Sequence, residues 1–135
     1  MTLYPHLTVP LDCINKEAHE YHISEKLLIS VLAVEQGKVG LARKNKNGTY
    51  DLGPMQINTS WWPELYHYNI TPKEVLYNPC TNIKVGAWIL AKEISDGDNL
   101  LKSIGNYNSH TNYYNKLYLQ KIRIKYTLLT QLLEP

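Results

Sequence analysis

The chain has 135 residues, 44% of them hydrophobic, enough for one domain that buries a core without a metal. Its formal net charge is +2 with acids and bases intermixed, too weak and diffuse for a nucleic-acid-binding surface. The longest apolar run, Leu27 to Val34, falls far short of the roughly 20 residues a bilayer-spanning helix needs, so a membrane-spanning protein is not expected.

In chain order, a short periodic stretch over about 12 to 21 opens behind Pro10. Ser24 is a good N-cap for a second helix, in which Leu28, Val31 and Leu32 share one face until Gly37 ends the pattern. Residues 38 to 60 lack helical period and contain Asn47-Gly48 and Gly53-Pro54, which predicts a loop with a small hairpin. Thr71-Pro72-Lys73-Glu74 is a capping box with a first-turn proline, and Asn78-Pro79 repeats the cap-and-proline signal for a helix running to Asp96-Gly97. A shorter helix follows Asn99, and a last one runs from about Thr111 to Leu133. The expectation is a mainly helical domain of five or six helices with a minor sheet and a loop-rich cleft.

Glu35 extends the apolar stripe of the second helix, placing a carboxylate where a Leu is expected. Desolvation and the negative end of the helix dipole both disfavour its charged form, so its pKa is expected to rise. An acid that stays protonated near neutral pH can protonate a leaving group. A last-turn Glu that simply reaches water is the plain alternative. Cys13 and Cys80, 67 positions apart, are either two buried thiols or one disulfide. If bonded, they close a loop that removes about 4 kcal/mol of unfolded-state entropy, useful in an oxidising compartment. His19 and His22 lack a third ligand at metal spacing, so neither a metal nor any other cofactor is expected. The basic clusters Arg43-Lys44-Asn45-Lys46 and Lys121-Ile122-Arg123-Ile124-Lys125 read as a loop and a solvated helix face.

The string from Asn47 to Trp62, NGTYDLGPMQINTSWW, begins a dozen residues after Glu35. It is followed by Asn78-Pro79 with Asn82-Ile83 and Gly86, then by Asn106-Tyr107-Asn108. These pieces, spread over about 13 to 115, resemble in order and spacing the lytic transglycosylases of glycoside hydrolase family 23, in the lysozyme-like superfamily. In particular they look like the small transglycosylases that accompany type III and type IV secretion, pilus or conjugation machines. The resemblance implies a lysozyme-like α+β domain over 1–135 whose helices and small hairpin or sheet flank a substrate cleft. It implies cleavage of the bond between N-acetylmuramic acid and N-acetylglucosamine in peptidoglycan, with 1,6-anhydro ends.

On the same resemblance Glu35 is the single catalytic acid/base and Tyr107 orients it. Gln56 and Asn58, two apart in an extended segment, face one side and bind sugar groups beside Asn108, with Met55 in the floor. Asn82 holds loop backbone, and Gly86 allows close helix approach. Trp61, Trp62, Tyr66 and Tyr68 divide between sugar faces and core, at least two of them core. A monomer acting in the periplasm or after export is expected, with envelope machinery as its protein partner and Cys13 bonded to Cys80.

The chain departs from the family at Gln36, where Ser usually follows the acid, at Pro54, and at Asn106, where Ala is usual. Two rival readings follow from the same residues. Asp51 also matches the second carboxylate of animal lysozymes, which would make the protein a hydrolase acting through Glu35 and Asp51. A retired fold would leave a non-catalytic peptidoglycan-binding module.

Overall fold

A computed structural model describes residues 7–133, so the ends of the expected 1–135 domain, residues 1–6 and 134–135, lie outside the described residues. Seven helices occur among the described residues, against the five or six the sequence predicts: α1 (Leu11–Glu20), α2 (Glu25–Glu35), α3 (Trp62–Leu65), α4 (Pro72–Tyr77), α5 (Pro79–Asp96), α6 (Leu100–Asn106) and α7 (Asn112–Leu133). The additional one is α3, a single turn bracketed by two 3-10 turns, too short to leave a periodic pattern.

The helix starts follow their caps. Ser24 Oγ accepts from Leu27 N at 3.3 Å, Thr71 and Glu74 form a reciprocal box, and Asn78 Oδ1 accepts from the amides of Cys80 and Thr81. Asn99 caps α6 through Lys102 N. α2 ends one residue earlier than Gly37 suggests, because Gln36 adopts the left-handed conformation at φ +55°.

α2 and α5 form the centre. Leu28, Val31, Ile83, Ala87 and Leu90 have at most 0% exposure, and α1, α4, α6 and α7 pack around them. Burying such side chains contributes roughly 1.5–3 kcal/mol each, which is what holds α2 in the middle of the domain. A disulfide joins Cys13 on α1 to Cys80 at the start of α5, with Cα atoms 5.4 Å apart. No helix among the described residues is long and apolar enough to cross a membrane.

The expected hairpin is a three-stranded antiparallel meander: β1 (Ala42–Lys44), β2 (Tyr50–Leu52) and β3 (Ile57–Asn58). Arg43 faces Asp51 across the first pair, and Asp51 faces Asn58 across the second. The Asn45–Thr49 turn between β1 and β2 places Gly48 at φ +86°, as the Asn-Gly pair predicts. Backbone meets backbone where α2 ends: a Cβ on Gly37 would run into Gly53 O and lie 2.7 Å from Pro54 O. Only glycine permits that approach, and it fixes the end of α2 against the loop between β2 and β3.

Candidate active site

A cleft of about 720 Å³ opens between the sheet and the helices, with Glu35, Asp51, Gln56, Asn58, Tyr107 and Asn108 among its lining residues. Glu35 is the last residue of α2, half-buried at the end of the stripe that buries Leu28, Val31 and Leu32. Burial raises its pKa from the usual 4.5 to about 7, with the nearby Asp51 adding to the rise. A hydrogen bond from Tyr118 and the charges of Arg43 and Lys121 pull the other way. Desolvation wins, leaving a carboxyl that is partly protonated at neutral pH.

Tyr118 OH donates to Glu35 Oε2 at 2.6 Å. It is the residue that the sequence reading missed. Tyr118 sits on α7, one turn after the buried Asn115 and in line with Ile122, and this buried face is the only sequence signal it leaves. Tyr107 OH, expected to orient the acid, instead donates to Met55 O at 2.9 Å. Its ring stacks on Tyr118 at a centroid distance of 6.5 Å. Burial and the neighbouring Glu35 charge hold both tyrosines' pKa values well above the usual 10, so both remain hydroxyl donors.

The loop after β2 is held from beneath. Asn82 Oδ1 accepts from Met55 N at 2.8 Å, and its Nδ2 donates to Leu52 O at 2.9 Å and Val75 O at 3.0 Å. Asn82 is fully buried, and the expectation that it holds loop backbone agrees with this geometry. Gly86 serves a different contact from the helix approach expected: a Cβ there would lie 2.6 Å from Met55 Cε, so the glycine makes room for the methionine. Met55 is itself fully buried, one layer below the cleft surface.

Gln56 and Asn58 both line the cleft, but not as two alternating residues of one strand. Gln56 is left-handed at φ +53°, and its Nε2 donates back to Gly53 O at 3.0 Å. Asn58 Nδ2 donates to Asp51 Oδ1 at 2.9 Å and to Thr49 Oγ1 at 3.0 Å, while its Oδ1 accepts from Ser60 N. Asp51 is therefore braced by a side chain across the sheet. On the opposite wall, Asn115 Nδ2 donates to Asn106 Oδ1, Lys102 O and Ser109 O, fixing the end of α6 that carries Tyr107 and the exposed Asn108.

Gln36 points elsewhere. Its exposed side chain lines a small hollow beside Lys121 and Ile124, and Arg43 Nη2 donates to the backbone carbonyl of Gln36 at 3.2 Å. Trp62 is buried and donates to Ile70 O, and Trp61 lines the cleft edge-on to Trp88; Tyr66 and Tyr68 are exposed. His22 lies beyond the end of α1 at φ +53°, so it shares no helix face with His19. Among the described residues no group of three or more His, Cys, Asp or Glu is placed to hold a metal ion.

A helical domain whose small sheet closes a cleft around the half-buried Glu35 is a lysozyme-like α+β fold. Residues 12–125 match the Transglycosylase SLT domain family, and the chain belongs to it. It is 34% identical over 132 residues to a "Peptidoglycan-binding-like protein" of Escherichia coli O157:H7, covering 89% of this chain and 79% of that one. It is 32% identical over 101 residues to the invasion protein IagB of Salmonella typhimurium strain SL1344, covering 74% of this chain and 63% of the relative. To the protein IpgF of Shigella flexneri it is 28% identical over 123 residues, with shares of 90% and 78%. All three relatives extend beyond the matched region.

Proposed function

We propose that the protein cleaves peptidoglycan glycan strands as a lytic transglycosylase, with Glu35 as its single acid/base. The observation that carries this reading is the carboxyl of Glu35, lifted to about 7 by burial and held by Tyr118 at the edge of the cleft. Protonated Glu35 donates its proton to the oxygen that links N-acetylmuramic acid to N-acetylglucosamine. The bond from that oxygen to the muramic anomeric carbon breaks, and positive charge grows on that carbon. The carboxylate then takes the proton of the muramic C6 hydroxyl, whose oxygen bonds the anomeric carbon and closes the 1,6-anhydro ring. Because this nucleophile is tethered to the reacting sugar, effective molarity replaces part of what a second protein carboxylate supplies elsewhere.

Gln56, Asn58 and Asn108 take the flanking sugars through hydrogen bonds, while Met55 and Asn82 hold the wall from below. Action in the periplasm or after export accords with the disulfide. The name of one relative, a peptidoglycan-binding-like protein, supports peptidoglycan as the ligand; an envelope machine as the setting is part of the same proposal. Mass spectrometry of digested peptidoglycan tests the reaction: anhydromuramic ends, one water lighter than reducing ends, are expected, and reducing ends alone would overturn the proposal.

Asp51 keeps a hydrolytic reading in view, because it lines the cleft near enough to raise the pKa of Glu35. In the single-acid mechanism its work is to receive Asn58 Nδ2, so Asp51→Asn should retain anhydro-product formation within roughly tenfold, about 1.4 kcal/mol in the transition state. A loss of several orders of magnitude in a variant that melts normally would place Asp51 in the chemistry.

Tyr118→Phe removes a hydrogen bond that favours the charged carboxylate. The pKa of Glu35 should therefore rise above about 7, moving the alkaline limb of the activity profile to higher pH. Activity at the optimum should fall about tenfold as the carboxyl loses its orientation. An unmoved alkaline limb would show that Tyr118 does not tune the acid.

A further inference from the structure

The outward side of α7 has no part in the cleft. This helix turns Asn115, Tyr118, Ile122 and Leu129 into the protein. Leu117, Lys121, Ile124 and Leu128 follow a second line, spaced four, three and four apart. On a helix of 3.6 residues per turn that line runs nearly parallel to the axis and away from the core. Leu117 is 40% exposed, Ile124 60% and Leu128 47%, so three large aliphatic side chains stand in solvent along one stripe.

The spacing is that of a coiled-coil seam, with Lys121 at one seam position and Lys125 flanking it. The stripe is also interrupted: Lys121 and, at the next position after Leu128, Gln131 break its apolar run, while Gln120 and Thr127 border it on one side and Lys125 with the exposed Leu132 on the other. A helix that adsorbs to a membrane carries a broad apolar face, whereas a two-residue seam per heptad fits a helix. Charge then selects the partner. Asn112–Leu133 contains Lys116, Lys121, Arg123 and Lys125 and not one Asp or Glu, so a second copy of α7 would set cation against cation. Beside the seam, Val34, Gln36, Lys121, Ile124 and Lys125 line a hollow of about 250 Å³, large enough to take a projecting side chain.

We propose that the outer face of α7, along Leu117, Ile124 and Leu128, docks an acidic amphipathic helix of another protein that sets aliphatic side chains in the seam and a carboxylate against Lys121.

Calorimetric titration of the full chain tests this, with a synthetic helical peptide of about three heptads carrying Leu at both seam positions and Glu on the flanks. Saturable 1:1 binding is expected, weakened at least about tenfold by the double change Ile124→Gln and Leu128→Gln, and weakened again by salt. Both positions are solvent-exposed, so the double variant should melt like the parent. Lys121→Glu should transfer the preference to a peptide with Lys in place of Glu. Absence of saturable binding, equal binding of the Lys-bearing peptide, or indifference to the double change would overturn the proposal. So would self-association of the parent, or its binding to phosphatidylglycerol vesicles, if the double variant lost either one while the peptide failed to bind.

Discussion

Glu35→Gln should abolish glycan cleavage, with a loss of three orders of magnitude or more, about 4 kcal/mol in the transition state. The amide keeps the size of the side chain and can still accept from Tyr118 OH, which now bonds Glu35 Oε2 at 2.6 Å. It has no proton to give at a useful pKa. The same substitution should stabilise the protein in alkaline solution. A carboxyl whose pKa rises from 4.5 in the unfolded chain to about 7 in the fold is neutral in the native state below 4.5 and charged in both states above 7. Its ionisation in the fold therefore costs nothing at pH 4, a growing amount between 4.5 and 7, and a constant amount above that. Allowing for solvent at the exposed edge of the carboxyl, the full cost is roughly 1–3 kcal/mol. Melts of the two proteins should coincide at pH 4 and separate in favour of Gln at pH 8. An inactive variant with no such separation would keep Glu35 as the acid but remove burial as the cause of its raised pKa. Cleavage well above background in Glu35→Gln would end the single-acid mechanism.

The largest expected effect on stability lies at Asn82. Its side-chain amide bonds Met55 N, Leu52 O and Val75 O, all in the interior. Truncation to Ala leaves one buried donor and two buried acceptors without this partner, a destabilisation of roughly 3–5 kcal/mol. Asp at this position keeps the acceptor for Met55 N but loses both donated bonds and brings a charge into the interior, so it should be no better than Ala. Chemical denaturation gives the answer directly: a loss below about 1 kcal/mol would mean that the loop finds other partners. In a surviving variant, activity should fall as well, because Tyr107 OH bonds the carbonyl of the same Met55 whose amide Asn82 holds.

What could be read ahead of the structure followed from local chemistry. Ser24, Thr71, Asn78 and Asn99 mark helix starts because a side-chain oxygen three residues or fewer from a free amide acts within one turn. Glu35 stood out because a helix repeats every 3.6 residues and a carboxylate interrupted its apolar stripe. The partner of Glu35 was hidden for the opposite reason. Tyr118 lies 83 positions away, and only the packing of α7 on α2 brings the two together. A motif resemblance pointed to Tyr107, one ring away and bonded to Met55 instead. The strand reading of Gln56 failed because nothing in a non-glycine side chain announces a left-handed residue. Gly86 was assigned to helix packing because sequence shows that a small residue is needed without showing which neighbour needs the room.

The turn at Asn45–Thr49 gives the fold a way to change its grip without touching its chemistry. Asn45, Lys46 and Asn47 form part of the cleft wall, yet a Cβ on Gly48 would have nothing within 4 Å. The tip therefore projects freely while its base is tied down by Asn45 N to Thr49 O at 2.8 Å. Inserted residues there would lengthen one jaw at a modest loop-closure cost, about 0.6 kcal/mol per doubling of loop length. Glu35, Tyr118 and the Asn82 clamp would stay where they are. Under the proposed mechanism, the length of glycan held and the acid at Glu35 can thus vary independently in descendants of this chain.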